Sequence, residues 1–399
     1  MISVERYTET PRLMVPAFGI GILGLVLTAV GAFVGDARAA AHSYLFAFTY
    51  WVGISVASII MVAIFHASKA KWMTVLRRAM ETMAVSVPIF VPLFFGLLPF
   101  MKDLYPWWPG SALASHMTEL ELHQMSFKQH GYLNPTFFAV RQVIYFGVWI
   151  FVSQRLYSWS TRQDEAGELM FTEKQRVLGP GSLPFLALTI TFAAFDWLMS
   201  LTPLWQSTIY GAYYFAGSFL AAFCLLTLAT ANAQGKNLYG NLVTTAHYHN
   251  LGKLMLAFVA FWAYIAFSQF LLIWVANVPE EATWYHVRIF GIWEWVSVAL
   301  FFVQFMIPFA ILLSRNLKLQ ARKLSVVAIY LLIAHALDMY WLIFPAYDRE
   351  HPAFPWTIIP AFFGVGGIVV GYALFRARGR YTVPVKDPYI AESLRYVQP

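Results

Sequence analysis

Charge is scarce in this chain, and thiol chemistry is nearly absent. Of 399 residues, only 12% are Asp, Glu, Lys or Arg, against about 25% in soluble domains. A surface so poor in charge excludes an ordinary water-soluble globule. Cys224 is the single cysteine. One thiol excludes an internal disulfide and an iron–sulfur cluster, which takes about four thiolates. The alternating pattern of a membrane β-barrel is missing. So is a small-residue cleavage site behind a short apolar core, so the first apolar run, Leu13 to Val34, reads as a retained helix.

What is present is apolar: 59% hydrophobic and 18% aromatic residues, grouped in runs of about 20, the length that spans hydrocarbon as a helix. Lipid offers backbone groups no partner, so each run must close its own hydrogen bonds. Ten spans are expected, near 12–34, 43–66, 82–101, 134–153, 182–200, 208–231, 250–276, 287–313, 323–344 and 356–376. The formal charge of +7 does not point to nucleic acid, because the basic residues stand in loops beside the runs. One set of loops and ends holds 21 of the 27 Lys and Arg, among them Lys69, Lys71, Arg77, Arg78, Arg155, Arg162, Arg315, Lys318, Arg322 and Arg376. The other side holds Arg38, Lys102, Lys128, Arg288 and Arg349, and Arg141 falls inside a span. The basic side is expected to be cytoplasmic, with both termini on it, in a multi-pass protein of the inner membrane. Trp107, Trp108, Trp284 and Trp356 sit where an interfacial aromatic belt belongs.

Spans five and nine share a pattern. Phe195-Asp196-Trp197 is followed by Pro203, and Leu337-Asp338-Met339 by Pro345, each seven residues after its Asp. Ser153-Gln154-Arg155-Leu156 after span four parallels Ser314-Arg315-Asn316-Leu317 after span eight, and Tyr50-Trp51 parallels Tyr213-Tyr214. The fold expected is all-α and integral to the membrane. Its ten transmembrane helices form two four-helix bundles, a parallel repeat, plus two flanking helices. The domains are 1–42 (N-terminal tail and flanking helix), 43–207 (first bundle, with a periplasmic loop 102–133), 208–355 (second bundle) and 356–399 (flanking helix and C-terminal tail).

Charges inside hydrocarbon cost roughly 2.5–3.5 kcal/mol on insertion scales and mark function or a paired contact. Arg141, Asp196, Arg288, Glu294, His335 and Asp338 lie in spans, mostly in their outer parts, and Glu280 and Glu281 cap the outer end of span seven. On the cytoplasmic side stand His66, Glu81 and Lys253. The plain structural explanation is ion pairing, Arg141 with Asp196 or Arg288 with Glu294. The functional one is a polar pathway for protons through these eleven residues. His335 and Asp338, i and i+3, share a helix face, as do Thr189, Asp196 and Ser200, and a carboxylate beside an imidazole can accept and pass a proton. A bis-histidine haem needs matched depth, which His66 and His335 lack. The loop histidines His116, His123 and His130, seven apart, fit no strong zinc spacing, so no metal is expected.

Three strings resemble a family signature. They are Phe261-Trp262-Ala263-Tyr264 running to Asn277-Val278-Pro279-Glu280-Glu281; Phe195-Asp196-Trp197-Leu198-Met199-Ser200-Leu201 with Trp205 and Ser207-Thr208-Ile209-Tyr210-Gly211; and His335-Ala336-Leu337-Asp338-Met339-Tyr340-Trp341 to Pro345. Together they resemble the NrfD-like (polysulfide-reductase-type) membrane subunits of bacterial alternative complex III, a quinol:electron-acceptor oxidoreductase, and in particular the second of its two such subunits. The resemblance runs from Pro11 to about Arg376. It implies two four-helix bundles and a scaffold and proton-conducting role. The implied partners are a sister NrfD-like subunit, an iron–sulfur subunit and multihaem cytochrome c subunits. Haem c and iron–sulfur clusters belong to those partners, and this chain is expected to bind none. Quinol or quinone in this chain is implied only through likeness to the sister, with Arg141, Asp196 and His335 as the candidate contacts. Two other readings stand beside this one. A purely structural anchor would have only paired charges. A stand-alone secondary transporter would show inverted repeats and broken helices, whereas here mid-span glycine or proline breaks are few, with Pro88, Pro92 and Pro308 as exceptions.

Overall fold

The computed structural model describes residues 6–8, 10–236, 239 and 242–396. The extremes of both tails, 1–5 and 397–399, lie outside them. Among the described residues, ten helices are long and apolar enough to cross a membrane: α1 Arg12–Val34, α2 Ala37–Ser68, α3 Lys71–Phe95, α4 Pro135–Ala166, α5 Leu169–Leu201, α6 Tyr210–Gly235, α7 Thr245–Ala276, α8 Trp293–Leu313, α9 Ala321–Ala346 and α10 Ile358–Ala377. The described residues contain no strand. An isolated bridge joins Arg6 to Tyr381, and the Tyr7 N–H donates to the Arg380 carbonyl at 2.8 Å. The two ends therefore meet on one face of the molecule, called here the terminal face.

Several boundaries differ from the sequence expectation, each for a local reason. Helix α4 runs to Ala166 and α5 begins at Leu169, well past 153 and before 182. Outside hydrocarbon a helix needs no apolar face, and the Gly167 turn (φ 72°) reverses the chain. Helix α2 starts at Ala37 because Asp36 caps it, accepting from the N–H groups of Arg38 and Ala39. Helix α3 lies earlier than 82–101 and is broken into 3₁₀ and α pieces around Pro88 and Pro92, which have no N–H to give. Residues 287–292 do not belong to α8: a separate helix, Pro279–Ile289, ends before Gly291 (φ 70°).

Helix α2 is the hub. It packs against α3, α4, α5, α6, α9 and α10, while α1 lies along α10. Its apolar residues are buried on nearly every side, as a central helix requires. Glycines allow α1 and α10 to touch: a Cβ on Gly21 would lie 2.6 Å from the Ile368 nitrogen, and one on Gly364 2.8 Å from the Leu25 nitrogen. Close backbone approach at small residues is the usual basis of helix pairing in lipid. The outside is a belt of exposed large apolar residues, including Ile22, Phe33, Val143, Leu272, Trp295 and Ile333. Such a belt suits hydrocarbon and would aggregate in water.

Candidate functional site

The two aspartates of the repeated pattern are both buried, at 0% and 1% exposure for Asp196 and Asp338, but their surroundings differ. Asp196, at the end of α5, meets α4. Arg141 grips it with two prongs, Nε to Oδ2 at 2.9 Å and Nη2 to Oδ1 at 2.8 Å. Gln142 Nε2 and the Tyr145 hydroxyl donate to Oδ2 at 3.1 and 2.9 Å. Tyr145 stands one turn of α4 beyond Arg141, and Gln142 is the next residue in the chain. The remaining Arg141 nitrogen, Nη1, donates to the Tyr132 carbonyl at 2.9 Å, and the guanidinium lies 3.8 Å from the Tyr132 ring centre. Both carboxylate oxygens accept, Oδ2 from three donors and Oδ1 from one, and the charge is matched. Bidentate geometry of this kind is the strong form of a buried pair. Thr189 and Ser200 support the same region: Thr189 accepts from Trp149 Nε1 at 2.8 Å, and Ser200 donates to the Asp196 carbonyl at 2.6 Å.

Asp338, in α9, has no such cation. The Tyr213 hydroxyl of α6 donates to Oδ1 at 2.5 Å, and Trp262 Nε1 of α7 donates to Oδ2 at 3.1 Å. His335 Nδ1 lies 3.7 Å from Oδ2, and neither imidazole nitrogen has a hydrogen-bond partner. Gly217 admits the pair against α6: a Cβ there would stand 3.0 Å from His335 Cε1 and 3.2 Å from Asp338 Oδ2. Two neutral donors and an imidazole therefore surround a buried carboxyl group, and a full charge there is expensive without a cation. A proton moved onto or off this pair changes its charge by one with no lysine or arginine to absorb it.

Helix α2 separates the two sites. Phe48 packs edge-on against Trp197, with ring centres 5.1 Å apart, and Tyr50 packs against His335, also at 5.1 Å. Two residues apart on a helix is about 200° at 3.6 residues per turn, so these contacts use opposite sides of α2. Arg141 and Asp196 thus belong to one constellation and His335 to another, and the three do not line a common site.

Arg288 does not pair with Glu294, which corrects the ion pair considered from sequence. The guanidinium donates to the carbonyls of Trp284 (2.9 Å), Leu342 (3.1 Å) and Trp341 (3.3 Å), and lies 3.5 Å from the Trp284 ring centre. The break at Gly291 puts Glu294 on the other helix, where it is exposed. Glu280 and Glu281 occupy the first turn of Pro279–Ile289 rather than the end of α7, a favourable place for anions. Lys128, half-buried in the loop helix Glu119–Gly131, donates to the Pro203 carbonyl at 2.8 Å, and burial lowers its pKa. His116, His123 and His130 are exposed, and no group of three metal-ligating residues gathers among the described residues.

On the terminal face Glu81 belongs to a buried network that sequence reasoning missed. Arg77 forms an ion pair with Glu81 at 3.0 Å and donates a hydrogen bond to Asp387 at 2.7 Å. Arg78 bonds Glu81 at 3.0 Å and also Asp164. Ser160 donates to Glu81 at 2.8 Å, and the Val385 N–H to Asp164 at 3.1 Å. Two cations meet three carboxylates drawn from α3, α4 and the C-terminal segment. Charges so far apart in sequence give no local signal. His66 is buried nearby, with Nε2 unpartnered, whereas Lys253 is exposed. No protein-family profile matches the chain, and no curated protein matches it.

Proposed function

We propose that this chain is a membrane subunit of a quinol:electron-acceptor oxidoreductase of the alternative complex III type, scaffolding the assembly and providing a polar path for protons. The observation that carries the reading is Asp338: a buried carboxyl group bonded to Tyr213 and Trp262, beside His335, with no cation. A purely structural anchor would be expected to match that charge, as Arg141 matches Asp196. The network around Glu81 supplies protonatable groups towards the terminal face. Supporting the family are the strings around Asp196, Trp262 and Asp338 and the parallel placement of the two aspartates. In this reading α2–α5 and α6–α9 are two four-helix bundles of one orientation, flanked by α1 and α10. The protein sits in the bacterial inner membrane with both termini cytoplasmic. A sister NrfD-like subunit, an iron–sulfur subunit and multihaem cytochrome c subunits are its partners, and they hold the haem and the clusters.

Purification from native membranes tests the assembly: multihaem cytochrome and iron–sulfur subunits should accompany the chain, and its isolation alone would sink the complex. The proton role is tested by Asp338→Asn, which keeps size and removes the titrating group. In a normally assembled complex, proton translocation per quinol oxidised should fall severalfold. Unchanged oxidation and unchanged translocation would make the carboxyl group structural.

A further inference from the structure

We infer that the groove between α7 and α8 is a binding site for a neutral, ring-headed amphiphile with a long apolar tail, the chemistry of a prenylated quinol. The inference rests on the quinol-oxidising reading above. The groove has a volume of about 940 Å³ and runs from Glu294, Ser297 and Tyr285 at one end to Phe309 at the other. On α7 it extends from Ala260 to Phe270, about 15 Å at about 1.5 Å per residue. Its mouth is lined by side chains that face lipid, Tyr264 at 65% and Phe267 at 61% exposure. A tail can therefore enter sideways from the bilayer without crossing water. The back wall includes Tyr213 and Trp262, the two groups that hold Asp338. The site thus borders the carboxyl group proposed to carry protons.

The polar end selects the head. No Lys or Arg lines the groove, and its single charged group is Glu294. An anionic phospholipid headgroup would meet a carboxylate and no cation. A ring hydroxyl would meet an acceptor. The Tyr285 hydroxyl accepts from Gln269 Nε2 at 3.0 Å, which leaves its own proton to give to a ring oxygen. Ser297, by contrast, is already committed, donating to the Arg288 carbonyl at 2.6 Å and accepting from Trp341 at 2.7 Å. One donor and one acceptor at the head of an aromatic slot match a ring that carries oxygen in both hydroxyl and carbonyl forms. The α8 wall adds a second observation. It contains a π turn, Phe301–Met306, from which Phe301, Phe302 and Phe305 line the groove, whereas the buried Gln304 does not. Single π turns of this kind recur at functional sites.

The test is photolabelling of the intact assembly in native membranes with a short-chain azido-quinone, followed by mapping of the labelled peptides. Label is expected on 260–270 and 294–309. Excess unlabelled short-chain quinol should displace it, and phospholipid vesicles should not. Ala263→Trp, which fills the groove from α7, should remove the label. Tyr285→Phe and Glu294→Gln should each weaken displacement about tenfold, the effect of losing one good hydrogen bond. Those two variants decide the matter if the tryptophan blocks assembly. Label concentrated near Arg141 and Asp196 or on Lys71–Glu81, equal displacement by phospholipid, or label untouched by all three variants would overturn the site. An intact haem- and cluster-containing complex with an unlabelled groove defeats this inference alone. A chain that purifies without partners defeats the reading beneath it.

Discussion

Two aspartates in matching sequence contexts have different partners, and the difference decides what each substitution does. Asp196→Asn leaves the Arg141 guanidinium, now facing a neutral amide, buried beside Tyr132. Breaking a buried pair from one side costs about 3–5 kcal/mol, so this variant should assemble poorly or melt well below the parent in a detergent thermal scan. Asp338→Asn strands no cation, and its melting temperature should stay close to the parent's. Equal losses for the two variants would show that Asp338 has a charge partner after all. The sequence made both aspartates visible as buried carboxyl groups, because lipid exposure is too costly. It did not distinguish them. The distinction lies in Gln142 and Tyr145 on α4, Tyr213 on α6 and Trp262 on α7, and residue types alone do not say which helices become neighbours. Arg288 shows the same limit. It stands six residues before Glu294, yet it turns to three carbonyls because Gly291 breaks the helix between them.

Elements were legible where an apolar run had to cross lipid, and blurred where the chain left it. Nothing in hydrophobicity signals that α4 and α5 continue as helices to the Gly167 turn, since polar residues form helix equally well in water. The glycines of α1 and α10 could be seen in the sequence but not their partners. Gly364→Leu puts a branched side chain where the Leu25 backbone nitrogen would stand 2.8 Å from the first added carbon, so α1 should separate from α10. Cysteine pairs engineered across the parent interface should crosslink readily, and the same pairs in the variant should lose most of that yield. An unchanged yield would mean that the glycines are not what lets the helices meet. On the terminal face, Asp387 ties the C-terminal segment to Arg77. Asp387→Ala leaves Arg77 with Glu81 only, and protease should then release the segment 383–394 at least several times faster. Cleavage at the parental rate would assign its anchoring to Ser393, which accepts from the Val75 N–H and donates to the Trp72 carbonyl.

At the scale of the whole molecule, geometry and charge make independent statements about topology. Geometry brings the ends together: Arg6 bridges to Tyr381, and the segment after α10 docks on the start of α3 through Arg77 and Asp387 and on the end of α4 through Asp164 and Val385. The loops that follow α2 and α4 therefore share a face with both described ends, and the loop helix Glu119–Gly131 between α3 and α4 lies on the other. Geometry does not say which face is cytoplasmic. Charge supports the proposal that it is the terminal face, which collects most of the lysine and arginine, as cytoplasmic loops commonly do. Reporters inserted at the exposed Gly167 turn, or between Gln320 and Arg322, should read as cytoplasmic. One inserted at exposed residues of 119–130, beside His123, should read as periplasmic. Gly167 and Asp164 lie on one hairpin, so the insertion must leave the Arg78 pairing intact, which assembly with partner subunits checks. Opposite readings from all three sites would invert the molecule and put Asp338 nearer the cytoplasm. A split between Gly167 and Gln320 would break the ten-span topology itself, because an even number of crossings separates them.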